Sequence, residues 1–348
     1  MGSYFWYSTF ILEISLLITG VSSTALDDYV NAADSSYDYT ILEDYTRRID
    51  GQYTTYVVNM TSQTWLDKTL VSRSIWWHYL AITIPDNIKY SDVGLLYITG
   101  SNNEAAVTGC LFQVPNQPIV FSEDPKNKSR SEDSIIAYTW NHFLTTEGGT
   151  NQPEYLALLP MAKLKAGVRA LDTMADWAHK IRPEISLTRF APCGGSKRGW
   201  TAWLMGAVDK RVFAMAPIVL DVLNALENLR HHYRSLGGWT WAFNPYYEED
   251  ITSQLDNPDA QLIVDIIDPL AYKDRLTMPK YIITASNDEF FLVDDSHYYF
   301  DQMIGPTYMR IVANAEHALI GHREDIWNGI ASFVVSVLEV TTKYRSYP

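Results

Sequence analysis

From residue 94 onward the chain alternates short apolar runs with longer stretches of helical spacing, and few folds satisfy that alternation. Residues 94–98 are apolar throughout, as a strand buried on both faces would be. Residues 155–180 place Leu159, Ala162, Ala166, Ala170, Met174 and Trp177 at helical spacing. A strand over 185–192, a helix over 200–208 and a strand over 212–220 follow. Near the C-terminus come a strand over 280–285, a helix over 296–304, a strand over 308–313 and a helix over 325–340. Upstream, 53–60, 75–84 and 119–121 predict further strands. Residues 131–144 predict a helix opened by Ser131 and Glu132. An antiparallel-looking start followed by repeated strand–helix units predicts the α/β class, a mostly parallel twisted sheet with helices on both faces. Residues 224–268 interrupt the rhythm after the sixth predicted strand with an aromatic, Gly-rich insertion containing Trp239, Trp241, Tyr246 and Tyr247.

The run Gly194-Gly195-Ser196-Lys197-Arg198-Gly199-Trp200 directly follows one predicted strand and precedes a helix. A serine at the apex of a tight strand–turn–helix is the geometry of a nucleophile elbow. Gly194 and Gly195 supply residues without bulk before it. The backbone N–H of Lys197 would meet an oxyanion at the helix N-terminus. The usual glycine two positions after the serine is here Arg198, whose side chain must point away from the strand it crosses. The other reading of Ser196 is an N-cap in a glycine-rich turn.

A nucleophilic serine needs a base, and the base an orienting acid. Asp288 follows the predicted strand 280–285, and His317 follows the predicted strand 308–313. Serine, acid and histidine in that order, each past a strand end, predict a triad of Ser196, Asp288 and His317. Separately, Asp288 reads as a turn cap and His317 as a surface histidine. Asp221, after the strand 212–220, is the alternative acid, and His297 and His322 are rival bases. A second oxyanion donor is expected after the third predicted strand, at Gly100, Ser101 or Asn102. The insertion reads as a lid, with Trp239, Trp241 and Tyr246 as a substrate wall, or as a packing excursion.

With 41 acidic against 27 basic residues the net charge is −14, which repels a phosphate backbone, so nucleic acid is not an expected partner. Residues 1–23 read as a signal peptide, the alternatives being an uncleaved anchor or a buried helix. Residues 24–50 form an acidic, Tyr-rich arm, and 51–348 a single domain with 224–268 as its lid-like insertion. No later stretch is apolar enough for a membrane span. The sequons at Asn59 and Asn127 fit a secreted glycoprotein. Two cysteines, Cys110 and Cys193, are too few for a disulfide scaffold and read as packed thiols, a bridge between them being the alternative. No metal is expected, since adjacent His231 and His232 point apart and no Cys or third His has ligand spacing. No phosphate-binding loop indicates a nucleotide cofactor, and no cofactor is expected.

The run from Gly195 to Thr201 with Trp203-Leu204 resembles the PhoPQ-activated pathogenicity-related family. So do Asp209 with Arg211-Val212, Pro217-Ile218-Val219, Asp221-Val222-Leu223-Asn224, Asp288-Glu289-Phe290-Phe291 and Asn314-Ala315-Glu316-His317. The likeness runs from about Tyr37 to the C-terminus. It implies an α/β-hydrolase fold, secretion, and a site at Ser196, Asp288 and His317. It also accounts for Arg198, which the family carries, and around the serine it is similar to glucuronoyl esterases. The family includes a secreted autocrine proliferation repressor of social amoebae. Two functions are therefore expected in competition. One is a secreted serine hydrolase acting on a small-molecule or glycan ester. The other is a secreted signalling protein on a hydrolase scaffold that meets a cell-surface receptor.

Overall fold

The computed structural model describes residues 23–99, 108–145, 158–221 and 223–345. The expected signal peptide lies outside them, apart from Ser23. The acidic segment 24–50 is helical at α1 (Ala25–Asn31), where Thr24 and Asp27 form a reciprocal capping box. It then supplies β1 (Asp38–Ile41) and β2 (Arg47–Ile49), both paired antiparallel with β3 (Tyr53–Thr64). β4 (Ile75–Pro85) completes this antiparallel start.

The rest of the sheet is built from β5 (Val93–Ile98), β6 (Thr108–Leu111), β7 (Arg189–Gly195), β8 (Ala216–Ile218), β9 (Lys280–Ala285) and β10 (Thr307–Val312). The strand order is β1-β3-β4-β6-β5-β7-β8-β9-β10, with β2 beside β3. Pairing is parallel from β6 to β10. All the carboxyl ends of that half therefore open on one edge, where ligands of open α/β sheets gather.

Side chains of successive strand residues point to opposite faces, so each face has its own core. On one face Leu80, Leu96, Phe190 and Ile282 meet α3 (Leu159–Ile181) through Leu171 and Met174, and α4 (Lys197–Val208) through Trp203 and Leu204. On the other, Ala216, Ile218, Ile283 and Val312 meet α8 (Arg323–Arg345) through Ile326 and Ile330. α2 (Asp133–Thr145) lies over a third cluster around Trp65, Trp76 and Phe121. The segment 224–268 leaves after β8 and returns toward β9, carrying α5 (Ala225–Leu236), α6 (Asn244–Glu248) and α7 (Pro258–Ile267).

Two expected elements differ. Residues 119–121 are not a strand of the sheet. They make only isolated bridges, Val71 with Phe121 and Ile119 with Arg130, and their apolar side chains fill the third cluster. The helix expected over 296–304 is replaced by single 3-10 turns, Asp295–Tyr298 and Phe300–Gln302, because Tyr299 turns inward and is fully buried. In contrast, β6 was not expected.

The cysteines flank one strand. In the register of the sheet, Tyr97 of β5 lies opposite Cys110 on one side and Cys193 on the other. Two inter-strand steps of about 4.8 Å put their backbones too far apart for a bridge. Both thiols are free and buried. Burial pushes Cys110 up to about 12 and raises Cys193 as well.

Candidate active site

Ser196 joins β7 to α4 with φ 55° and ψ −129°. A non-glycine residue held there costs about 1–3 kcal/mol and needs its surroundings to enforce it. They do. Its N–H donates to the Ile218 carbonyl of β8 at 2.8 Å, and its own carbonyl accepts the first helical bond from Trp200 at 3.1 Å.

Two glycines permit the crossing of strand and helix. A Cβ on Gly194 would lie 2.8 Å from the Arg198 carbonyl, and one on Gly199 would lie 3.0 Å from the carbonyl oxygens of Gly194 and Ile218. A Cβ on Gly195 would meet nothing within 4 Å, so this glycine is not required by space, contrary to the expectation from sequence. The glycine usual two residues past the serine has moved one residue on. Arg198 points outward, where its Nε donates to the Val114 carbonyl at 2.7 Å and its guanidinium forks onto Glu132 at 2.8 and 2.6 Å.

Lys197 holds the first helical position, so its N–H has no partner within α4. Its Nζ pairs with Glu132 and Asp133, both at 3.0 Å. Burial pushes the Glu132 carboxyl up, but Lys197 and Arg198 outweigh it and hold the group down at about 2. Lys163 of α3, fully buried, donates from Nζ to the Lys197 carbonyl at 2.9 Å. Burial, with Arg198 and Lys197 nearby, lowers Lys163 well below the usual lysine range. The expected second oxyanion donors, Gly100, Ser101 and Asn102, lie outside the described residues. The Thr99 N–H just before them is spent on the Leu111 carbonyl.

His317 follows β10 and faces Ser196 across the sheet edge. Its Nε2 lies 2.7 Å from Ser196 Oγ, and its Nδ1 lies 2.8 and 2.9 Å from the two Asp288 oxygens. A ring nitrogen between two carboxylate oxygens carries the proton, which leaves Nε2 as acceptor for the serine. The Asp288 side chain is fully buried. Its Oδ1 also accepts the N–H groups of Phe290 and Phe291 at 2.8 and 3.1 Å. Glu289 accepts the His317 N–H at 3.1 Å, and the ring of Phe290 packs 4.7 Å from the imidazole. The loops are lashed together where Ser286 Oγ accepts the Asn314 N–H and the Asn287 N–H meets the Ala315 carbonyl.

Asp221 is fully buried but accepts the hydroxyl of Tyr299, and it is Asp288 that meets His317. Burial, with Asp288 nearby, pushes Asp221 up to about 7. His297 sits in a 3-10 turn against Tyr298, and His322 lies beyond His317 near the start of α8. Of the sequons, Asn127 is exposed. Asn59 lies mid-strand between Thr40 and Tyr79 with its amide oxygen buried, unlike the surface loop where acceptors are found.

Beside Ser196 opens a pocket of about 60 Å³. Ser196 and Lys197 line one side. Trp239, Phe243 and Tyr246 of the insertion line another, with Trp140 of α2 and Phe290 and Phe291 of the acid loop. Trp241, expected in that wall, is instead 69% exposed and outside the lining. Thr240 Oγ1 donates to the Glu289 carbonyl at 2.6 Å, tying the insertion to the loop that carries the acid. The walls from α2 and the loop of Asp288 are not among the expected residues, because Ile136 and Trp140 lie inside a predicted helix with nothing local to mark a pocket. Away from this pocket, His231, Asp294 and Asp295 bring one ligand atom each within 4.8 Å of one another, a group able to hold a metal ion. Among the described residues no helix is long and apolar enough to cross a membrane.

Comparison with known proteins agrees with this architecture. The sequence model of the PhoPQ-activated pathogenicity-related protein family matches residues 26–110 and 102–344. Autocrine proliferation repressor protein A of Dictyostelium discoideum is 36% identical over 345 residues, covering 93% of this chain and 67% of that protein. Among solved structures, the acetyl xylan esterase of Paenibacillus sp. R4 superposes with a TM-score of 0.55 at 16% identity, covering 88% of this chain and 92% of that one. Acetyl xylan esterase 1 of Thermoanaerobacterium sp. JW/SL YS485 gives 0.54 at 11% identity, covering 90% and 91%. At such identities the likeness is one of fold, and the fold is the expected α/β-hydrolase.

Proposed function

Because this chain belongs to the PhoPQ-activated pathogenicity-related family, we propose that it is a secreted serine hydrolase that cleaves carboxylic esters of a small molecule or glycan. The observation that carries this reading is the unbroken line of hydrogen bonds from Ser196 Oγ through His317 to Asp288. Nε2 of His317 takes the hydroxyl proton as Oγ attacks the ester carbonyl carbon. Asp288 holds the imidazolium that forms. The developing oxyanion meets the Lys197 N–H at the N-terminus of α4, where removal of one such donor ordinarily costs about 10²–10³ in rate. His317 then returns its proton to the departing alcohol. Water then attacks the acyl carbon as it gives a proton to Nε2, and Nε2 returns that proton to Ser196 Oγ as the acid departs. The names of the two superposed esterases fit such a reaction.

The test is covalent labelling by a fluorophosphonate. The wild-type protein takes up one probe and loses its esterase activity, while a folded Ser196→Ala variant takes up none. A folded wild-type protein that stays unlabelled refutes the reading. A second reading, a secreted regulator of proliferation on this scaffold, is favoured by the name of the Dictyostelium relative. It separates from the first when purified wild-type and Ser196→Ala proteins are added to growing cells. Equal repression by both would make the effect independent of hydrolysis.

A further inference from the structure

We propose that the pocket beside Ser196 receives the acyl side of the ester, and that this acyl group is apolar and longer than acetyl, an alkyl chain of four or more carbons or an aryl group. The inference rests on the hydrolase reading above and adds the class of substrate.

The assignment to the acyl side follows from which residues line the pocket. An acyl carbonyl under attack is held between Ser196 Oγ and the Lys197 N–H, and both residues form the pocket wall. Whatever continues from that carbonyl carbon enters the space they border. The departing alcohol must instead lie against Nε2 of His317, which protonates it. His317 is absent from the lining. The two halves of the ester thus leave the reacting carbon in different directions, and the pocket lies on the acyl half.

The apolar character follows from the lining and from how its polar members are spent. Trp140, Trp200, Trp239, Phe243, Phe290 and Phe291 present aromatic surface. Apart from the Trp140 indole N–H, which has no partner, the charged groups and the tyrosine among them are spent on one another. Tyr246 donates its hydroxyl to Asp133 at 3.0 Å, and Asp133 pairs with Lys197. Lys197 also pairs with Glu132, which forks onto Arg198. A sugar ring in this space would lose water from several hydroxyls with few partners to replace it. The pocket has room for about four waters, and an acetyl methyl group takes about one of those places. An alkyl or aryl group exchanges water for the ring faces at no such cost.

The test varies each half of the ester separately. With p-nitrophenyl acetate, butyrate, hexanoate and phenylacetate, kcat/KM rises along the acyl series, by up to about fourfold per buried methylene. With acetate esters of ethanol, butanol and hexanol it changes by much less. Leu229→Trp and Leu255→Trp, both in the lining, put bulk into the pocket and lower the hexanoate-to-acetate ratio at least tenfold. Binding to Ser196→Ala, followed by the fluorescence of the pocket tryptophans, gives a readout without turnover. Ethyl hexanoate binds at lower concentration than ethyl acetate.

A wild-type protein that is labelled by fluorophosphonate yet prefers acetate overturns this proposal and leaves the hydrolase reading standing. The same holds if only the alcohol series shows the length dependence. A folded protein that neither labels nor hydrolyses any of these esters overturns both.

Discussion

At the scale of single residues, the elbow shows why two neighbouring glycines are unequal. Gly194 faces the backbone of Arg198 across the turn, whereas Gly195 faces open space. Neither has a positive φ, so the difference is one of room alone. Gly194→Ala forces strand and helix apart and is expected to lower stability by about 2–4 kcal/mol, in the range of overpacking and broken elbow contacts. Gly195→Ala is expected to stay within about 1 kcal/mol of the wild type. Denaturant unfolding of the two variants measures both, and equal losses would contradict the steric account.

At the scale of elements, the N-terminus of α2 is locked to the elbow by charge. Glu132, one residue before α2, receives Arg198 and Lys197 from the first turn of α4. Its folded pKa, about 2, lies below the ordinary 4.5. The group therefore contributes stability above about pH 4.5 and loses it as pH falls toward 2. Glu132→Gln is expected to be less stable at neutral pH by about 1–3 kcal/mol, since Arg198 loses its carboxylate and Lys197 one of its two. It should also show a shallower loss between pH 4.5 and 2. Unfolding midpoints of both proteins across that range check the sign.

The same elements show what the sequence reveals and what it hides. The parallel half of the sheet is legible because its strands carry short apolar runs, as at 94–98 and 281–283. Ser196, Asp288 and His317 stand out because each is a polar residue just past such a run. β6 stays hidden because it has four residues, including Gly109, and exists only by lying between β4 and β5. Ile119 and Phe121 imitate a strand because a small aromatic cluster needs the same residue types as a sheet. Residues 296–304 imitate a helix, yet Tyr299 is drawn inward to Asp221, a partner 78 residues away. Lys163, Glu132 and the pocket walls from α2 carry no local pattern. Their roles come from contacts made across the chain.

At the scale of the whole molecule, the sheet holds its two thiols apart by the width of one strand. Oxidising surroundings therefore find no pair to join. Thermal unfolding with and without dithiothreitol is expected to give the same midpoint. A thiol reagent should titrate neither cysteine in the native protein and both once it is unfolded, with a raised pKa and burial working together against reaction. A native protein with no titratable thiol even after unfolding would mean a bridge, and a sheet register different from the one described.

The excursion between β8 and β9 starts and finishes in contact, Asp268 accepting the Ala225 N–H at 2.8 Å. It contributes much of the pocket wall, while Ser196, Asp288 and His317 all lie outside it. Selectivity is thereby concentrated in a cassette that can be exchanged as one uninterrupted piece of gene. A lineage could retune what it recognises by rewriting some forty-five consecutive codons, about the span from 224 to 268, leaving its reacting trio untouched.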